Sequence, residues 1–171
     1  EDYAIKLATD LIDNFQNIYE DKWLNMMRNK LGLFGEEKKD KKLINDLLEW
    51  MKKNKADYTN TFNHLMDLKS NDEIYKKTDF LTWIDKWKLR SQLNNSSKEK
   101  QIKLMRKNNP IIIPRNHKVE EALKEANNGN LNKINRLLNI LDKPYDEQDI
   151  ANEYRLPAPE SKKKYQTFCG T

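Results

Sequence analysis

The chain lacks the materials of several common architectures. Its 171 residues include one cysteine, four glycines and five prolines. A single thiol excludes an internal disulfide framework and any metal site built on paired cysteines. Scarce glycine and proline leave little for the tight turns that antiparallel sheets need at each hairpin. No apolar run reaches the roughly 18 residues of a membrane-spanning helix. The opening Glu1-Asp2-Tyr3 carries neither the basic region nor the apolar core of a secretory leader. There is no glycine-rich phosphate loop. The two histidines, His64 and His117, have no companion at metal-ligand spacing, and general acid–base work requires a partner at hydrogen-bond range. Both read as packing or surface residues.

What is present is helix material. With 37% hydrophobic and 35% charged residues, the sequence suits helices with narrow apolar stripes. Lys and Arg total 32 against 27 Asp and Glu, a net charge of +5, and 26 of the cations are lysine. Nucleic-acid surfaces favour clustered arginine beside stacking aromatics, so neither a nucleic-acid nor a membrane partner is expected. The predicted fold is all-α, ending in an extended tail.

Helical periodicity starts at once with Ala4, Leu7, Ala8, Leu11 and Ile12. It continues through Phe15, Ile18, Tyr19, Met26 and Met27 as one long stripe, stopped by Gly32 and Gly35. Because the pattern opens without an entry segment, the chain reads as part of a longer protein. A charged hinge, Glu36 to Lys42, leads to a second stripe at Leu43, Ile44, Leu47, Leu48 and Met51. Others follow at Tyr58–Met66 and, capped by Thr78 or Asp79, at Phe80–Trp87. Ser96 with Glu99 makes a capping box before Ile102. Pro110-Ile111-Ile112-Ile113-Pro114 must be extended. Asn116 suits the cap of a helical hairpin over 117–141, and an acidic short helix follows around Asp146 to Tyr154. These breaks give three regions: a helical array at 1–109, a Pro-bracketed segment with hairpin and short helix at 110–156, and an extended tail at 157–171.

Few side chains suggest chemistry. Trp23, Trp50, Trp83 and Trp87 read as packing between helices. Arg115, aimed by a rigid element, either meets an anion or pairs with a nearby acid. Cys169 stands third from the end. Lys162, Lys163 and Lys164 would lower its pKa from the reference value of about 8.5 if the tail folds back, whereas the terminal carboxylate would raise it, so the sign stays open.

Four separated stretches resemble the selenoprotein O family. They are W-L-N-M-M-R-N-K-L-G-L at Trp23–Leu33, D-Y-T-N-T-F at Asp57–Phe62, Asn109-Pro110 through Arg115-Asn116 into the hairpin with Gly129 and Pro144-Tyr145, and the terminal F-C-G-T. Family members commonly end in two serines where this chain has Gly170-Thr171. The resemblance implies that the chain is roughly the last third of a kinase-like protein adenylyltransferase, extending its C-lobe. Such an enzyme transfers AMP from ATP, with Mg2+ or Mn2+, to Ser, Thr or Tyr hydroxyls of proteins. The nucleotide and metal ligands would belong to a kinase-like domain preceding this chain, leaving no catalytic residue, no metal and no cofactor expected here. Cys169 corresponds to the family's terminal redox residue, whose disulfide partner would lie in that domain. The implied location is cytoplasmic in a bacterium and mitochondrial in a eukaryote. The competing reading is a non-enzymatic helical scaffold, because 117–141 resembles one ankyrin-type helix pair. A fixed repeat of about 33 residues would support it, and only one copy is visible.

Overall fold

The computed structural model describes residues 2–148 and 152–159, in which eight α-helices and no strand occur. The all-α expectation therefore holds. The chain divides between Ile111 and Ile112 into two compact units.

In the first unit, α1 (Asp2–Lys30), α2 (Asp40–Asn54), α3 (Tyr58–Asp67), α4 (Thr78–Ser91) and α5 (Lys98–Asn108) are joined by short connections, with 3-10 turns at Glu73–Lys76 and Gln92–Asn94. Helix α1 packs on α2 and α5, α2 on α4, and α3 on α5. Their apolar stripes meet in a core centred on Met27, Leu31, Ile44, Leu47, Phe62, Leu65, Phe80 and Met105, all buried. Each such side chain contributes about 1.5–3 kcal/mol through burial.

The tryptophans are core residues. The Nε1–H groups of Trp50, Trp83 and Trp87 donate to Asp79 Oδ1 at 3.0 Å, Leu43 O at 2.9 Å and Leu31 O at 2.9 Å. A buried indole needs such an acceptor, and these bonds tie α4 to α2 and to the end of α1.

Three caps differ from their sequence reading. Neither Thr78 nor Asp79 caps α4: Lys77 holds that position without a side-chain bond, while Asp79 accepts from Trp50 and from its neighbour's N–H. Helix α5 is capped by Ser97, one residue after Ser96, through a 3.4 Å bond from the Lys100 N–H. The shift follows from Asn94, whose buried amide is tied to Gly32 O and the Phe34 N–H, so that Asn95 makes the left-handed turn and delays the helix.

In the second unit, α6 (Asn116–Asn127) and α7 (Asn132–Leu141) form the expected hairpin, with Gly129 in the turn, followed by α8 (Asn152–Arg155). Arg115 rather than Asn116 occupies the cap of α6, because the Arg115 carbonyl accepts the first helical bonds from Lys118 and Val119. The segment from Pro110 to Pro114 is non-helical, and the Ile112 N–H donates to Pro144 O at 3.2 Å.

Candidate functional site

Three of the motif stretches meet around the C-terminal end of α1. Arg28 and Lys30, two residues apart, enter different polar clusters. Arg28 donates through Nε to Asp40 Oδ2 at 2.8 Å and through Nη1 to Glu36 Oε1 at 3.0 Å. From α4, Arg90 Nε reaches Asp40 Oδ1 at 2.6 Å, and its Nη2 bonds Asp40 Oδ2 and the carbonyls of Phe34 and Gly35. The Glu37 N–H also donates to Asp40, which is 0% exposed. Burial alone would push this carboxyl up, but the bonds from Arg90, Glu37 and Arg28 outweigh it and hold the group below the ordinary carboxylate range.

Lys30 has no carboxylate partner among the described residues. Its Nζ donates to Asn108 O at 3.0 Å and sits 4.8 Å and 5.4 Å from the ring centroids of Phe62 and Tyr58. Burial pushes its pKa down, while the ring faces supply cation–π attraction. Asn109, at 1% exposure, donates to the carbonyls of Lys30 and Met105. In the second motif, Asp57 caps α3 by accepting the Asn60 N–H at 2.8 Å, and the Thr61 hydroxyl donates to Asp57 O at 2.7 Å. Asn63, just after it, donates to the carbonyls of Pro110 and Ile111. The amide oxygens of Asn63 and Asn109 are buried and accept no bond from the described residues. The motif residues thus hold helix ends together. Among the described residues, no group of three or more His, Cys, Asp or Glu is placed to hold a metal ion.

The residues singled out individually fall in different places. Cys169 lies outside the described residues. Arg115 donates through Nη2 to Arg155 O at 3.0 Å, linking the start of α6 to the end of α8. His117 lies in α6 and His64 in α3. His64 stacks on Tyr75 with ring centroids 4.1 Å apart, and its Nδ1 accepts the Ser70 N–H at 3.3 Å. Burial lowers its pKa, against the opposing pull of Asp67 and Asp72. The imidazole binds a proton more readily when unfolded, so the first unit loses stability as pH falls below the unfolded value of about 6.5. Guanidinium midpoints at pH 7.5 and 5.5 are expected to differ accordingly, and His64→Phe to flatten the difference.

Sequence reasoning missed Asp40 and Arg90. Asp40 falls within the charged hinge from Glu36 to Lys42, and the isolated arginine in an otherwise lysine-rich α4 is the available signal. A cavity of about 210 Å³ in the second unit is lined by residues including Lys118, Lys133, Arg136 and Tyr154. Its cations pair with Glu121, Glu125 and Glu153.

Comparison with known proteins identifies the class. The family model described as protein adenylyltransferase SelO matches residues 4–142. The chain is 54% identical over 172 residues to the protein nucleotidyltransferase YdiU of Pelagibacter ubique, covering 100% of this chain and 36% of that protein. It is 44% identical to the protein of the same name from Alcanivorax borkumensis, covering 99% and 36%, and 41% identical to that from Nitrosococcus oceani, covering 98% and 34%. The chain belongs to the SelO family of protein nucleotidyltransferases. It spans about a third of the length of these curated relatives.

Proposed function

We propose that this chain is the C-terminal helical region of a protein adenylyltransferase that moves AMP from ATP to Ser, Thr or Tyr hydroxyls of proteins. ATP and its Mg2+ or Mn2+ would be held by a kinase-like part outside this chain. The present helices would support that part and carry Cys169 toward it, in the cytoplasm of a bacterial cell or the mitochondrion of a eukaryotic one. The observation that carries the reading is the use of the motif side chains. Arg28, Lys30 and Asn109 are committed to joining helix ends and Asp57 caps its own helix, as expected of a support rather than a catalytic centre. Family membership and coverage of about a third of the relatives add to it.

Oxidation would join Cys169 to a thiol of the kinase-like part, releasing two protons and two electrons to a disulfide oxidant such as oxidised glutathione. The test uses the full-length protein with ATP labelled at either the α- or the γ-phosphate. Label is expected to reach protein substrates only from the α-position, and the rate to differ between oxidising and reducing buffers. Cys169→Ser should abolish the redox difference. Transfer of γ-label would overturn the reaction assignment, and identical redox responses in both proteins would remove the switch.

A further inference from the structure

Helix α1 does not carry one stripe along its length. At about 100° per residue, the side chains that enter the core, Trp23, Leu24, Met27 and Leu31, share one face. Leu7, Leu11, Phe15, Ile18, Tyr19 and Met26 occupy another, roughly 140° around the axis by the same geometry. Every residue from 2 to 19 is exposed, including Leu11 at 58% and Phe15 at 64%. On the core side of this stretch the residues are mostly polar, Thr9, Asp13, Gln16 and Glu20, with Ile5 exposed among them, and Glu20 pairs with Lys41 of α2 at 2.8 Å. The long stripe expected from periodicity is therefore two stripes facing different ways.

We infer that the outer stripe of α1 is a docking surface for the portion of the full-length protein that the relatives contain and this chain does not. The inference rests on the family reading above and names the surface through which this region would meet the rest. A continuous apolar stripe on a helix marks a face built to be buried, and an isolated helix gains little stability from its own hydrogen bonds. The six outer-face side chains, at on the order of 100 Å² each, offer about 600 Å² in all, the lower edge of the roughly 600–1,000 Å² per partner of a standard interface. Residues 2–22 carry five acids against two lysines. That acidity disfavours anionic membranes, and side-by-side pairing with a second copy would bring like charges together. The complementary partner is an apolar groove with a basic rim. The curated relatives carry nearly two-thirds of their length beyond the matched part, ample chain to supply it.

Hydrogen exchange measured on this chain alone and on the full-length protein tests the inference without a variant. Amides of residues 3–19 are expected to exchange at least roughly 100-fold more slowly in the full-length protein. In a second measurement, L11D and F15D should leave the melting temperature of the chain alone unchanged and lower that of the full-length protein by several degrees. Equal exchange in both contexts overturns the inference. So does protection that rises with the concentration of the chain alone, which would assign the face to a second copy, or binding to anionic vesicles. Protection without AMP transfer would leave the docking surface standing and defeat only the functional reading.

Discussion

Replacement of Asp40 by alanine is expected to destabilise the first unit by about 3–5 kcal/mol, the usual cost of removing one partner from a buried charge cluster. The carboxylate receives Arg28 and Arg90, with side-chain exposures of 11% and 7%, while its own is 0%. Its loss leaves two guanidiniums partly or wholly without a counter-charge. It also opens the loop that Arg90 fastens through Phe34 O and Gly35 O. All four tryptophans lie in this unit, so a guanidinium titration followed by indole fluorescence reports on it alone. As a control, Asp46→Ala removes an exposed i,i+4 pair with Lys42 and should cost no more than about 0.5 kcal/mol. Because the folded-state pKa of Asp40 is depressed, its contribution is fully present above the unfolded value of about 3.9 and is lost as pH falls through the folded value. Wild type should therefore lose this advantage over Asp40→Ala only below about pH 4. Equal stability of the two proteins at pH 7 would refute this role of Asp40.

The helices were legible because stripes such as Leu43, Ile44, Leu47 and Met51 combine the right period with residues that have nowhere else to go. Cap positions were less so. Locally Ser96 is the better candidate, having Glu99 three residues on, yet Ser97 caps the helix beside an Asn94 that reaches Gly32 across 62 positions. Long-range polar contacts of this kind leave no periodic trace. Asp40 makes the point most sharply: set among Glu36, Glu37, Lys38, Lys39, Lys41 and Lys42, it reads as solvated charge, yet it is fully buried. Arg28, Lys30 and Asn109 stood inside family-like motifs, so their importance was visible while their partners were not. Helix α1 erred in the opposite direction. Apolar residues at helical spacing were joined into one stripe, although the adjacent pair Met26 and Met27 differ by about 100° and belong to different faces. Periodicity alone does not say how many partners a helix has.

Gly32→Ala is expected to cost about 2–4 kcal/mol and Gly35→Ala only about 1 kcal/mol, although both glycines have a left-handed backbone, with φ of +66° and +69°. The shared part of the cost is the strain of placing a Cβ in that conformation. What separates them is space. A Cβ on Gly32 would lie 2.6 Å from Gln101 Cγ and 2.8 Å from Met105 Cγ, whereas at Gly35 nothing comes within 4 Å. Neither neighbour of Gly32 yields readily. Met105 is 1% exposed in the core, and Gln101 is held by its bond to Ser91 Oγ at 3.0 Å. The local hydrogen bonds explain why the chain needs this residue here. The Leu33 N–H bonds Arg28 O at 2.9 Å and the Gly32 N–H bonds Asn29 O at 3.1 Å, the paired closure that ends a helix at a left-handed residue. That closure releases the Leu31 carbonyl to Trp87 and the Gly32 carbonyl to Asn94, while Lys30 O goes to Asn109. Three consecutive carbonyls at the end of α1 therefore bind three different elements. Displacing Met105 would strain α5 against all of them. Denaturation midpoints of the two variants supply the test, and equal losses would show that backbone strain, not close approach of α1 to α5, sets the requirement for glycine at position 32.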